Sequence, residues 1–213
     1  MNQVNTFKWS HLLGKTSLFL TMLTLSIALT ILFVPLFEWS LYIGNIPEQV
    51  GMRHETIMEN YYVLLRYLHA PWINELHMPD FPTSASGAFH FYEVKILFGI
   101  NYAVLFLSGI CSIYYVKYLK KQQYLWSLKQ PFKVAIAVPI VLTIFLAFSF
   151  DYMFVLFHQI LFNNEDWLFN PATDPIITVL TQDFFMYCFL FAFILLESML
   201  VGGYLIGKTS QTA

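Results

Sequence analysis

Charge is scarce in this chain. Asp, Glu, Lys and Arg make up 11% of its 213 residues, where an ordinary soluble domain carries about 25%. The deficit excludes a disordered chain, which needs high charge and low hydrophobicity, and it argues against a soluble enzyme. A net charge of −2 leaves no basic surplus, so nucleic acid is not an expected partner. Cysteine is nearly absent: Cys111 and Cys188 alone cannot form a disulfide-rich scaffold. The sequence also lacks G-x-S-x-G, H-E-x-x-H and C-x-x-C. The signatures of the serine-hydrolase elbow, the zinc protease and the dithiol oxidoreductase are therefore missing.

What is abundant is apolar surface: 58% hydrophobic and 19% aromatic residues. A membrane-crossing helix needs about 20 predominantly apolar residues. Four segments qualify: Leu18–Phe37, Ile96–Val116, Val134 to about His158, and about Phe184 to Gly207. All are apolar around their whole circumference, unlike the one-faced helices of a soluble bundle. Alternating segments of about 10 residues, the mark of an outer-membrane barrel, are not found. The expected fold is an all-α integral membrane protein in which four transmembrane helices and a partly helical extracellular cap form a single domain over 1–213.

Orientation follows from the basic residues. Lys8, Lys15, Lys117, Lys120, Lys121, Lys129, Lys133 and Lys208 all flank one side of these spans, 8 of the 11 in the chain. Arg53, Arg66 and Lys95 lie on the other. The positive-inside rule makes the first side cytoplasmic, with both termini there. The first span is longer than the 7–15 apolar residues of a signal peptide and no small-x-small site follows it, so an uncleaved anchor is expected. Cys111 and Cys188 fall at different depths, which argues against a bridge between them.

Two outer segments, about 38–95 and 159–183, form the expected cap. The first is too long for a bare loop. Ile57, Tyr61, Leu64, Leu65 and Leu68 recur at helical spacing and predict a helix over His54–His69. Trp72–Met78 reads as a short helix or interfacial turn, and Pro79, Pro82 and Thr83–Gly87 as breakers. In the second segment, Thr173-Asp174-Pro175 reads as a helix start, a capping side chain before a proline.

His90 and His158 fall where cap meets membrane, one before span two and one at the end of span three. Histidine exchanges protons near neutrality. On the residues alone, a structural role for both at the interface weighs more heavily than catalysis. His11 falls on the cytoplasmic side, and His54, His69 and His77 lie in the cap with no partner at a telling spacing. Glu93 follows His90 by three residues, so on a helix the two share a face, and the carboxylate is placed to orient the imidazole. Lys95 is either an interfacial cation or a partner of Glu93. Asp151 and Glu197 are acids inside predicted spans, which makes them candidates for function. Asp151 precedes His158 by seven residues, about 10 Å along a helix, too far for direct contact. Glu197 fits helix packing better. No further residues stand out to complete a metal or haem site with the histidines, so no metal and no cofactor is expected. The outer aromatics, Trp39, Tyr61, Tyr67, Phe91, Phe162 and Trp167 among them, are either an interfacial belt or the lining of a lipid pocket.

Two stretches resemble the lipoprotein intramolecular transacylase (Lit) family. His90-Phe91-Tyr92-Glu93-Val94-Lys95 is similar to that family's H-x-x-D-V-K. Phe157-His158, followed by Asn164, Trp167, Phe169, Pro171 and Asp174, is similar to its histidine after the third span and its N-x-x-W-x-F-x-P-x-x-D block. Glu93 stands where the family has aspartate, and Gly87 where a glutamate three residues before the histidine is expected. The resemblance implies a bacterial plasma-membrane enzyme acting on a diacylated lipoprotein. In that reaction the sn-2 acyl chain of the diacylglyceryl-cysteine moves to the cysteine's own α-amino group and leaves a lyso-form lipoprotein. His90 and His158 match the expected acid–base pair, and no covalent acyl-enzyme is implied. Glu93, Lys95, Asn164, Trp167, Asp174 and Asp151 are the residues expected to orient it or to bind substrate and membrane lipid. The alternatives are a non-enzymatic accessory or chaperone protein of the membrane and a lipid hydrolase working at the same site.

Overall fold

A computed structural model describes residues 3–211; residues 1, 2, 212 and 213, which the expected single domain includes, lie outside the described residues. The chain is all-helical, and no strand occurs among the described residues. In order, the helices are α1 (Gln3–Leu32), α2 (Pro35–Ile43), α3 (Ile46–Val50), α4 (His54–His69), α5 (Ala85–Lys121), α6 (Lys129–Ala135), α7 (Ala137–Phe148), α8 (Phe150–Leu161) and α9 (Gln182–Thr209). Short 3-10 turns lie at Leu125–Leu128 and Pro175–Thr178. Among the described residues, four segments are long and apolar enough to cross a bilayer: Ser10–Leu32, Ala85–Lys121, Leu125–Phe148 and Gln182–Thr209.

Where the sequence reads uninterrupted apolar runs, the helices are interrupted before Pro35, at Ser149 and, with the backbone still in the helical region, at Ile136. Pro35 has no N–H and cannot continue α1, so the run Leu18–Phe37 divides before α2. The run from Val134 to His158 divides at Ser149, whose backbone leaves the helical region (φ −158°, ψ 66°). Serine is a favoured residue type at a helix start, and here its carbonyl accepts the Met153 N–H. Consequently α8, which carries His158, is a separate short helix beyond the third crossing segment. The predicted helix over His54–His69 is α4, whereas 73–78 is not helical and α5 begins at Ala85, ahead of His90.

Two compact units divide the residues. Of the described residues, one comprises those up to 31, 101–145 and those from 190 on. Its core holds Leu18, Tyr115, Leu119, Leu128, Phe132 and Leu200. Polar side chains also join helices here: the Thr21 hydroxyl hydrogen-bonds those of Ser108 and Ser112 at 3.0 and 2.9 Å. Small hydroxyls of this kind let apolar helices approach closely and bond across the contact. One carboxylate oxygen of Glu197 is buried there without a hydrogen-bond partner.

The second unit comprises 32–100 and 146–189. Its core joins α2, α4 and the 3-10 turn at Pro175. Phe37, Leu41, Ile57 and Ile176 are wholly buried. Phe37 stacks on Tyr61 at 3.9 Å and meets Phe184 edge-on at 5.1 Å. A polar clip fastens the proline-rich connection to α4. The wholly buried Asn60 donates to Asp80 Oδ2 at 2.8 Å and to the Thr56 carbonyl at 2.8 Å, while its own Oδ1 accepts the Asp80 N–H at 3.0 Å. Asn60→Ala is expected to lower stability by about 1–3 kcal/mol and to speed proteolysis between Met78 and Ser84. Thermal unfolding and limited digestion in detergent check both.

Candidate active site

Apart from Glu197, which lies in the first unit, every residue singled out as a site candidate belongs to the second. α5 presents His90, Glu93 and Lys95; α8 presents Asp151 and His158; the connection after α8 carries Asn164, Trp167 and Asp174. These elements bring the two histidine rings to 5.8 Å between centroids, inclined by 36°. Both are buried, with 7% and 9% of their surface exposed. Aromatic rings wall them in. Phe162 meets His90 edge-on at 4.7 Å, Phe169 meets it at 5.5 Å, and Trp167 stacks on His158 at 4.7 Å.

Local helix geometry fixes the His158 tautomer. Its Nδ1 lies 2.7 Å from the carbonyl of Phe154, one turn earlier in α8. A carbonyl only accepts, so Nδ1 carries the hydrogen and donates it. In the neutral ring Nε2 is then the lone-pair nitrogen. α8 lies outside the four crossing segments, and burial lowers the His158 pKa below the ordinary histidine value, against the upward pull of that hydrogen bond. The neutral form, the one able to take a proton, is thereby favoured. His90 differs: its Nδ1 is buried with no hydrogen-bond partner.

Glu93 bonds elsewhere than expected. Its Oε1 accepts from Asn164 Nδ2 at 2.8 Å, and its Oε2 is buried without a partner. Asn164 in turn accepts the Trp167 indole N–H at its backbone oxygen, 3.1 Å away, and the Asp166 N–H at its side-chain oxygen, 3.0 Å away. A chain of contacts therefore runs from Glu93 through Asn164 to Trp167 and onto the His158 ring. The carboxylate steadies the aromatic wall from α5 instead of turning His90.

Asp174, 2% exposed, anchors the start of α5. Its Oδ1 accepts the Ser84 N–H at 2.8 Å, and its Oδ2 accepts from the Thr173 hydroxyl at 2.7 Å. Ser84 Oγ accepts the Gly87 N–H at 3.0 Å. In a capping box, a glutamate at the third helical position reaches back to the N–H of the capping serine. Here that third position is Gly87, and Asp174 supplies the carboxylate. A Cβ at residue 87 would collide with the Asp174 carboxylate. Gly87→Ala should therefore destabilise: overpacking costs about 1–3 kcal/mol, more than the roughly 1 kcal/mol alanine gains in helix propensity. A lowered unfolding midpoint checks it. The same bonds commit Ser84 to capping.

The remaining candidates point away from the histidines. Lys95 donates to the Ile73 carbonyl and sits over the Tyr67 ring, 4.2 Å from its centroid, so it fastens the non-helical 73–78 segment. Asp151 accepts from Gln182 Nε2 at 2.7 Å, which ties α8 to the start of α9. Among the described residues no three His, Cys, Asp or Glu side chains gather as a metal site. Both cysteines are free thiols. Sequence reasoning passed over the Phe154 carbonyl and over Phe169 as a wall of the site. The first was readable from its spacing, four residues before His158.

The sequence model of the lipoprotein intramolecular transacylase Lit family matches residues 12–185. No curated protein matches the chain. Among solved structures, the membrane-integral lipoprotein intramolecular transacylase Lit from Bacillus cereus superposes with a TM-score of 0.92 at 26% identity, covering 99% of this chain and 100% of that one. Two variants of that bacterial protein, with one histidine replaced by arginine or by alanine, each match with a TM-score of 0.84 at 26% identity. Both matches cover 99% of this chain, and 94% and 96% of the variants.

Proposed function

Because the chain belongs to the lipoprotein intramolecular transacylase Lit family, we propose that it moves the sn-2 acyl chain of a diacylglyceryl-cysteine lipoprotein to that cysteine's own α-amino group. The observation that carries the reading is the buried histidine pair, 5.8 Å apart, with one tautomer fixed.

Amine and ester sit on the same substrate molecule, so confinement takes the place of an enzyme nucleophile. Well-oriented intramolecular reactions reach effective molarities of about 10⁵–10⁸ M. The amine nitrogen attacks the sn-2 carbonyl while His158 Nε2 takes its proton. The tetrahedral centre collapses, the carbonyl–oxygen bond to glycerol breaks, and His90 gives the departing oxygen a proton. One proton leaves nitrogen and one arrives on oxygen, and no water is consumed. Two imidazolium ions at this separation would repel, so the pair carries at most one extra proton at a time. A proton returning from His158 to His90 resets the pair. The aromatic wall excludes water, which would otherwise compete as acceptor and release fatty acid.

The bilayer position follows the same reading. α5 is 37 residues long, about 55 Å, against a hydrocarbon core of about 30 Å. Its uncharged stretch Ile96–Val116 fills that core, and His90 stands beyond the outer end. Residues 38–95 and 159–183 then form the extracellular cap, both termini are cytoplasmic, and the reaction occurs where a lipoprotein's cysteine meets the outer leaflet.

Expression in a bacterium whose lipoproteins stay diacylated tests the reading, with the N-terminal lipopeptide read by tandem mass spectrometry. A lipopeptide of unchanged mass with one chain on the amine is the expected product. Loss of a chain would mean a hydrolase. An untouched lipopeptide beside folded protein would mean an accessory protein.

A further inference from the structure

Beside the histidine pair opens a cavity of about 580 Å³ that the acid–base step does not use. α8 contributes Val155 and Gln159 to its wall, and the following connection contributes Phe162, Asn163, Trp167 and Leu168. Phe162 and Trp167 are also the rings that touch His90 and His158, so the cavity begins where the reactive site ends.

The chemistry of the wall identifies its occupant. The side-chain amides of Gln159 and Asn163 are exposed on this wall and open to a ligand, in contrast to Asn164, whose amide is engaged at both ends. A primary amide offers donors and an acceptor together, the complement of a peptide group's C=O and N–H. A phosphate would call for cations, and the one charged side chain on this wall is the anionic Glu165. An acyl chain would call for apolar walls, yet Gln159, Asn163, Asn164 and Glu165 make up half of the lining.

Covalent geometry points to the same occupant. The α-nitrogen and the first peptide carbonyl of a lipoprotein share one α-carbon, and successive α-carbons are about 3.8 Å apart. A chain whose amine reaches His158 must lay its next two residues within about 8 Å of it. We infer that this cavity binds the peptide backbone just after the lipidated cysteine, with Gln159 and Asn163 hydrogen-bonding its first peptide groups. The inference rests on the transacylase reading above and adds a specificity to it. The enzyme recognises any lipoprotein by backbone, whatever its sequence, and passes over diacyl lipids that carry no peptide.

The test uses the full chain in lipid–detergent micelles with three synthetic substrates. They are diacylglyceryl-cysteine methyl ester, the same lipid on a four-residue peptide, and that peptide with its first peptide N–H replaced by an ester oxygen. For the unaltered enzyme the peptide should lower KM at least about tenfold relative to the methyl ester, and the N–H replacement should raise KM about three- to tenfold, the worth of one hydrogen bond. In Gln159→Leu and Asn163→Leu the preference for peptide over methyl ester should fall below about threefold. Equal KM for all three substrates, or variants that keep the full preference, would overturn the inference while leaving the transacylase reading intact. If the variants fail to fold, the N–H replacement on unaltered enzyme decides. Acyl migration on none of the substrates would overturn both.

Discussion

Replacing His158 with alanine should lower the turnover of acyl migration by about 100- to 10,000-fold, the span general acid–base catalysis supplies. The reason lies in the one tautomer its backbone allows. With Nδ1 donating to Phe154, Nε2 is the only position on that ring that can accept the amine's proton, and no neighbouring carboxylate is bonded to replace it. His90→Ala should lose activity within the same range for want of a proton donor to the glycerol oxygen. Since the two are proposed to serve one transfer, the effects should not add. The double variant should be about as slow as the slower single variant, because members of a catalytic unit fail together. Product formation by purified single and double variants, with unfolding midpoints measured alongside, checks this. Losses that multiply in the double variant would mean two independent roles.

Asn164→Leu should lower kcat by about 100-fold with a smaller change in KM. Leucine cannot donate to Glu93, so both carboxylate oxygens would be left without partners. The turn that carries Trp167 would then lose its tie to α5. Trp167 stacks on His158 at 4.7 Å, and a displacement of the reactive group by about 1 Å is enough to cost that factor. Trp167→Phe should lose less, since it keeps a ring against His158 and gives up only the indole N–H. A KM rise with kcat unchanged in Asn164→Leu would show that the residue binds substrate and does not position the histidine.

What the sequence discloses is what depends on short spacings or on bulk composition. Long uncharged runs mark the crossing segments because burial in lipid demands them. The five apolar residues from Ile57 to Leu68 mark α4 through their period. Breaks inside apolar runs are harder to read. Pro35 signals one plainly, but at Ser149 the composition stays apolar on both sides and only the backbone angles reveal that α8 is separate. Long-range polar pairs are hidden for a different reason. Glu93 and Asn164 are 71 positions apart, and Glu93 has a nearer histidine on its own helix face that looks like the better partner. Lys95 likewise turns to a carbonyl 22 positions earlier. Gly87 looks like a missing acid until Asp174, brought across from the far segment, is found in the space a side chain would need. His90 and His158 stand out by their place at the ends of two spans, the resemblance adds the expected acid–base role, and only the folded chain shows the Phe154 carbonyl fixing the tautomer of one of them.

The central claim is transfer within one molecule, driven by proton exchange and without an acyl-enzyme. A crossover experiment tests it most directly. Two lipopeptides of different peptide mass, one with deuterated acyl chains and one with ordinary chains, are mixed with the enzyme and their lyso-form products weighed. Intramolecular transfer predicts that every product carries only its own label on nitrogen. Products bearing the other peptide's chain would contradict the account and require an acyl group that leaves its substrate.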